Sequence, residues 1–261
     1  MSLFCLVHGA CQGAWVWDLL IPYLEAQGHK TVAMDLPIED PDVTLSDYVD
    51  AVLEALPETE EDVILVGHSM AGTFISLIAA RYRVRQLVFI GSLIPHPGVS
   101  FLDQCYDEIP SNFLDEAGYK PPEASLFEQF RDEPNVHIPA CIGKFMTPDE
   151  QGKAIAMEFY YYDCKPDVAN WAFSKTRYQR SLAYVFEKFP YKGIPDVKSN
   201  YIACSGDRII SPAWQRYAAR KRLGVEAIEI SSGHYPHLSH PIRLAEVLNA
   251  IASINYELET G

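Results

Sequence analysis

The chain has 261 residues, 48% hydrophobic and 21% charged, with a formal net charge of −14 at pH 7. That length fits one large domain, or a core domain with an insertion, and the composition can supply a sizeable core. The acidic balance argues against nucleic acid or an anionic membrane surface as a partner, and no apolar run approaches the roughly 18 residues a membrane span needs.

The first residues, Met1-Ser2-Leu3-Phe4-Cys5-Leu6-Val7, carry no basic segment and no small-residue cleavage site, so they read as a strand rather than a signal peptide. Strands are predicted at Leu3 to Val7, Lys30 to Met34, Val63 to Val66, Gln86 to Ile90, Asn200 to Cys204 and Ala227 to Ile230. Helices are predicted near 16–27, 44–56, 70–82, 212–222 and 241–253. Strands that are apolar throughout and alternate with helices indicate a mostly parallel sheet covered on both faces. Right-handed crossovers then bring the strand-to-helix loops to one edge of the sheet.

The alternation stops near Pro95 and resumes near Lys198. The stretch between is rich in Pro, Tyr, Phe and acidic residues, with a helical patch at Pro148 to Tyr161. The expected organisation is an α/β core from 1–95 and 198–261 with a mainly helical cap inserted at 96–197. Six cysteines (Cys5, Cys11, Cys105, Cys141, Cys164 and Cys204) are scattered without a C-x-x-C pair. They read as free thiols of a reducing compartment, and a cytoplasmic location is expected.

The stretch "VILVGHSMAGTFIS" (63–76) runs a buried strand through Gly67-His68-Ser69-Met70-Ala71 into a helix. A sharp strand-to-helix turn exposes a serine hydroxyl as a nucleophile and requires small side chains two residues before and after it. Gly67 meets that need, and Ala71 adds one methyl at a position that falls inside the predicted helix. The alternative is a serine that merely caps the helix. In "SGDRIISP", Asp207 follows a strand and suits the orienting of an imidazole, though Asp and Gly also form ordinary turns.

"SSGHYPHLSHP" offers His234, His237 and His240. His234, directly after Gly233 at a strand exit, is best placed to act as general base; His237 and His240 are expected to pack against or cap the last helix. Pro236 and Pro241 break the regular spacing that a three-histidine metal site would use, and no carboxylate sits among them. "LVHGACQGAW" places His8-Gly9-Ala10 at the exit of the first strand. There the N–H groups of Ala10 and Met70 are expected to form an oxyanion hole. Cys11 lacks a base of its own and reads as a loop thiol lining or underlying the site.

The order Ser69, Asp207, His234 is that of the α/β-hydrolase triad, and at this point the chain resembles that superfamily. It most closely resembles the small-esterase branch that includes plant methylesterases and hydroxynitrile lyases. "LVHGACQGAWVWDLLIPYLEAQGHKTVAMDLP", "VILVGHSMAG", "GDRIISP" and "GHYPHLSHP" carry the likeness, over roughly 1–95 and 198–255, while the insertion matches loosely.

The resemblance implies a helical cap over a Ser69–His234–Asp207 triad, with no metal and no organic cofactor. The implied activity is hydrolysis of a small, rather apolar carboxylic ester or a lactone through an acyl-enzyme. Lyases of the branch carry threonine after the first-strand histidine and lysine after the catalytic one; Gly9 and Tyr235 stand there and favour hydrolysis. A hydroxynitrile lyase or C–C bond hydrolase with the same triad, and a low-turnover ligand receptor, are the alternatives. The expected partner is a small-molecule ester, and a homodimer is left open. The insertion's aromatic residues (Phe101, Tyr106, Phe127, Phe130, Phe145, Phe159, Tyr160, Tyr161, Tyr162, Trp171 and Phe173) either pack the cap or line a pocket.

Overall fold

Apolar runs that send alternate side chains to opposite faces build the centre of the molecule. A computed structural model describes residues 1–59, 61–101, 150–190, 193 and 195–254. Its strands are β1 (Leu3–Val7), β2 (Lys30–Ala33), β3 (Val63–His68), β4 (Gln86–Ile90), β5 (Lys198–Cys204) and β6 (Ile228–Ile230). They form one sheet in the order β2-β1-β3-β4-β5-β6. Every neighbouring pair is parallel.

Alternation within each strand divides the core in two. Cys5, Val7, Leu65, Leu87, Phe89 and Tyr201 face one layer, with α2 (Leu45–Ala55) and α3 (Ile75–Ala79) among the helices packed there. Phe4, Leu6, Ile64, Val66, Val88 and Ile202 face the other, against Trp17, Leu24 and the Pro241–Ser253 helix. Each such wholly buried side chain contributes about 1.5–3 kcal/mol. Truncating Leu65, fully buried in β3, to alanine would cost about 2–5 kcal/mol.

Local signals start and stop the helices. Thr44 and Asp47 form a reciprocal capping box at the start of α2, and its buried Leu45, Tyr48, Val49 and Val52 recur at helical spacing. Pro241 opens the last helix at a position where a missing N–H costs nothing.

Three expected helices are more broken than their periodicity suggested. The first is a 3-10 turn at Ala14–Trp17 followed by α1 at Ile21–Ala26. The helix expected at 70–82 opens as a 3-10 turn, Ser69–Thr73, before α3, so Ala71 lies in that turn and not in the α-helix. The Thr73 hydroxyl donates to the Met70 carbonyl (2.7 Å) and competes with regular helical bonding there. The third is an α-helix at Pro212–Ala218 that widens into a π-turn, Ala219–Leu223, closed by left-handed Gly224.

Between β4 and β5 the described segments include helices at Glu150–Ile155, Pro166–Ser174 and Ala183–Phe186, with a π-turn at Ala156–Tyr160. Tyr106, Phe127, Phe130, Phe145, Cys105 and Cys141 lie outside the described residues. Among the described residues no helix is long and apolar enough to cross a membrane.

Candidate active site

Because all strands run parallel, the loops after β1, β3, β4, β5 and β6 meet at one edge. Strand order reverses at β1, and the loops after β1 and β3 flank that switch point, where ligands of open α/β sheets collect.

β3 ends at His68, and the chain turns at Ser69 with φ 52°, in the left-handed region that a serine enters only at a cost. A Cβ at position 67 would lie 2.9 Å from the Ile75 side chain, so glycine is needed there. Ala71 fits completely buried. The turn is anchored from behind: the Leu93 N–H donates to the Ser69 carbonyl (3.1 Å) and the Ser92 hydroxyl to that of Gly67 (2.6 Å). Tyr201 in turn donates to the Ser92 carbonyl (2.7 Å). These three hydrogen bonds hold Ser69 in a strained conformation that a mere helix cap would not require.

Ser69, His234 and Asp207, from loops after three different strands, converge. The Ser69 hydroxyl lies 3.0 Å from His234 Nε2, and His234 Nδ1 lies 2.6 Å from Asp207 Oδ2. Those partners assign the tautomer: Nδ1–H donates to the carboxylate, and Nε2 accepts from serine. Both side chains of the His–Asp pair are almost wholly buried. Asp207 Oδ1 accepts the Ile209 and Ile210 N–H groups (2.7 and 3.0 Å), and Oδ2 also accepts from Gln215 Nε2 (2.8 Å). A carboxylate so supplied with donors is fixed in place.

Gln215 was not anticipated from the sequence. It is fully buried, and it also donates to the Ile210 carbonyl (2.8 Å) while its Oε1 accepts the Cys204 N–H (3.0 Å). Its signal was positional: Gln215 is three and four residues before buried Ala218 and Ala219, so a polar side chain sits on the inward stripe of its helix. Gly91, after β4, was also missed. At φ 48° it passes beneath the His–Asp bond, where a Cβ would be 3.4 Å from Asp207 Oδ2 and 3.5 Å from His234 Nδ1.

The loop after β1 brings Ala10 to the same edge. Inserted-segment residues grip this loop: the Arg177 N–H and Nη1 donate to the Cys11 and Gln12 carbonyls (2.9 and 3.2 Å), and Gln179 Oε1 accepts the Cys11 N–H (3.2 Å). His8 braces it from inside, donating from Nδ1 to the Gly9 carbonyl (2.7 Å) and accepting the Leu36 N–H at Nε2 (3.0 Å). Burial pushes the His8 pKa down to about 4. Met70, second in the 3-10 turn after His68, has no acceptor for its N–H within that turn. Cys11 is buried, with φ 63°, and burial pushes its thiol up to about 12, which leaves it a poor nucleophile.

The other histidines separate by environment. His237 is fully buried against Trp17 and His68, with ring centroids 4.6 Å away in each case. His240 is the N-cap residue of the last helix. Among the described residues no group of three His, Cys, Asp or Glu side chains is placed to hold a metal ion. His68 donates from Nε2 to the His234 carbonyl (2.9 Å), and burial holds both His68 and His237 well below the ordinary histidine pKa. Of the insertion's aromatics, Tyr160 and Tyr161 are buried and Tyr160 lies 6.2 Å from the His234 ring, whereas Trp171 packs edge-on against Trp15 and Phe159 is exposed.

Known proteins share this fold and family. Residues 6–247 match the model of the alpha/beta hydrolase family. Salicylic acid-binding protein 2 of Nicotiana tabacum is 32% identical over 95% of this chain and 96% of its own length. Polyneuridine aldehyde esterase of Rauvolfia serpentina is 28% identical, covering 94% of this chain and 93% of its own. A crystal structure of polyneuridine aldehyde esterase superposes with a TM-score of 0.70, at 24% identity over 97% of this chain and 99% of that one. Family match, sheet order and strand-end loops agree: this chain belongs to the α/β-hydrolase family.

Proposed function

We propose that the protein is a serine esterase that hydrolyses a small, rather apolar carboxylic ester or a lactone. The observation that carries this reading is the buried relay from Asp207 through His234 to a strained, partly exposed Ser69. His234 Nε2 takes the Ser69 proton as the hydroxyl attacks the ester carbonyl, and the Ala10 and Met70 N–H groups receive the oxyanion. The resulting imidazolium, stabilised by Asp207, protonates the departing alcohol. Water then enters, gives a proton to the same nitrogen and attacks the acyl carbon; the bond to Ser69 Oγ breaks, and His234 returns the proton to Oγ as the acid leaves.

Hydrolysis is favoured over cyanohydrin cleavage by two positions. A Cβ at Gly9 would lie 2.9 Å from His68 Nδ1 and 3.0 Å from Ser69 Cβ, so a threonine there does not fit without displacing the turn. Tyr235 is buried among Tyr160, Tyr161 and His237, and offers no ammonium beside His234. The name of the esterase relative points the same way.

The test is a screen of p-nitrophenyl and methyl esters of varied acyl length, with a fluorophosphonate probe as active-site label. Wild type should label at Ser69 and turn over short apolar esters, and Ser69→Ala should do neither. Retention by Ser69→Ala of more than about a tenth of the wild-type rate refutes the nucleophile assignment. Slow labelling of wild type together with saturable ester binding would favour a receptor instead.

A further inference from the structure

The loops that carry Asp207 and His234 are stitched to each other by backbone alone: the Ser205 N–H donates to the Ile230 carbonyl and the Gly206 N–H to that of Ser232 (both 2.9 Å). Two adjacent residues of the inserted segment grip these same loops from above. The Tyr162 hydroxyl donates to the Gly206 carbonyl (2.5 Å), one residue before Asp207. Asp163 Oδ2 accepts the Gly233 N–H (2.6 Å), one residue before His234.

Both gripped positions are glycines, and the approach explains it. A Cβ at 206 would lie 2.5 Å from the Tyr162 hydroxyl, and one at 233 would lie 2.6 Å from Asp163 Oδ1. Tyr162 is itself held, because the Arg208 guanidinium sits 3.7 Å over its ring and donates from Nη1 to the Glu158 carbonyl (2.8 Å). The Asp163 carboxylate is mostly buried, with His240 Nδ1 at 3.7 Å from Oδ2. A charge-assisted bond from a fixed carboxylate is stronger than a neutral one and holds direction better.

We propose that Tyr162 and Asp163 are positioning residues that set the spacing between the acid and the base of the triad; this rests on the Ser69–His234–Asp207 reading. The His234–Asp207 bond is short and buried, so its geometry depends on where the two loops sit relative to each other. The dipeptide touches both loops one residue upstream, and fixes both with a single rigid unit. Neither side chain touches the reacting atoms; each acts through a backbone group. Misplacement of a reacting group by an ångström from a remote change can cost on the order of a hundredfold in rate.

The experiment compares Asp163→Ala, Asp163→Asn and Tyr162→Phe with wild type. Steady-state kinetics on p-nitrophenyl acetate, thermal melting and the low-field imidazole proton of His234 in the NMR spectrum, assigned by its loss in His234→Ala, are the readouts. Asp163→Ala and Tyr162→Phe should lower kcat about ten- to a hundredfold with KM little changed, and should broaden or shift the low-field proton. Asp163→Asn keeps an acceptor for the Gly233 N–H and should restore most of kcat and the proton signal. Unchanged kcat and an unchanged low-field proton in Asp163→Ala and Tyr162→Phe overturn the proposal. So does an equal loss in the Asn and Ala variants accompanied by equal lowering of the melting temperature, which marks a scaffold role. The NMR arm needs no turnover: if wild type hydrolyses no ester, a low-field proton that shifts in Asp163→Ala and Tyr162→Phe upholds the clasp and sinks the esterase reading alone.

Discussion

Gln215→Glu is an isosteric change with a pH-dependent outcome. The amide nitrogen of Gln215 lies 2.8 Å from Asp207 Oδ2 in a fully buried position, so the variant sets a carboxyl oxygen where a donor stood. Two carboxylates at that distance cannot both ionise, and the pair must share a proton in the folded state. In the unfolded chain a glutamate ionises at about 4.3, so above that pH the folded variant holds one more proton than the unfolded one. Stability is therefore lost as pH rises, by about 1.4 kcal/mol per unit, giving about 1 kcal/mol at pH 5 and about 4 kcal/mol at pH 7. A further pH-independent cost of about 1–3 kcal/mol arises because one O–H cannot serve both Asp207 and the Ile210 carbonyl.

The assay is urea denaturation of wild type, Gln215→Glu and Gln215→Met at pH 5 and pH 7. Methionine removes the donor without adding an acid, so its deficit should be the same at both pH values. The glutamate deficit should be larger at pH 7 by about 3 kcal/mol. An equal glutamate deficit at the two pH values would mean that residue 215 does not face the Asp207 carboxylate, and the account of how that carboxylate is fixed would fall.

Ser69→Ala, His234→Ala and the double variant should lose activity to the same floor in ester kinetics, because the members of such a relay act as a unit; additive losses would separate them. Acid should destabilise the protein: His8, held at about 4, and His68 and His237, also lowered by burial, bind protons more readily once unfolded. The His8 contribution, about 3 kcal/mol, is fully present above the unfolded value near 6.5 and is lost as pH falls through about 4. His237→Phe should make that acid loss shallower in urea titrations, and an unchanged slope would refute a neutral buried His237. Ala71→Gly should keep kcat/KM within a few-fold, whereas Ala71→Val, overpacking a fully buried turn residue, should cost about 1–3 kcal/mol and much of the activity; a fully active, equally stable valine variant would show that the turn is not tightly packed.

What the sequence showed well was whatever is written in local period and turn chemistry. Apolar runs gave strands such as Leu3–Val7 and Gln86–Ile90 residue for residue, and the helix at Pro241–Ser253 followed from its start signal and spacing. What it hid were contacts between distant segments. Tyr162 and Asp163 lie more than forty residues before the glycines they grip, and nothing in their neighbours' pattern marks them. The helix at Pro166–Ser174 went unread because its inward stripe is only Ala169 and Ala172, too small a signal in a proline-rich stretch.

Asp207 shows why local and functional readings of one residue need not compete. Read as a turn former it was an ordinary aspartate between a strand and a helix, and read as a triad member it was an imidazole's partner. Its two oxygens divide those roles. Oδ1 accepts the N–H groups two and three residues ahead, which is the turn. Oδ2 accepts from His234 and from Gln215. The turn bonds fix the carboxylate plane, and only because that plane is fixed does the second oxygen meet His234 Nδ1 at 2.6 Å. The bland assignment is therefore a condition of the functional one, and a substitution that spares Oδ2 but disturbs the turn would be expected to weaken both.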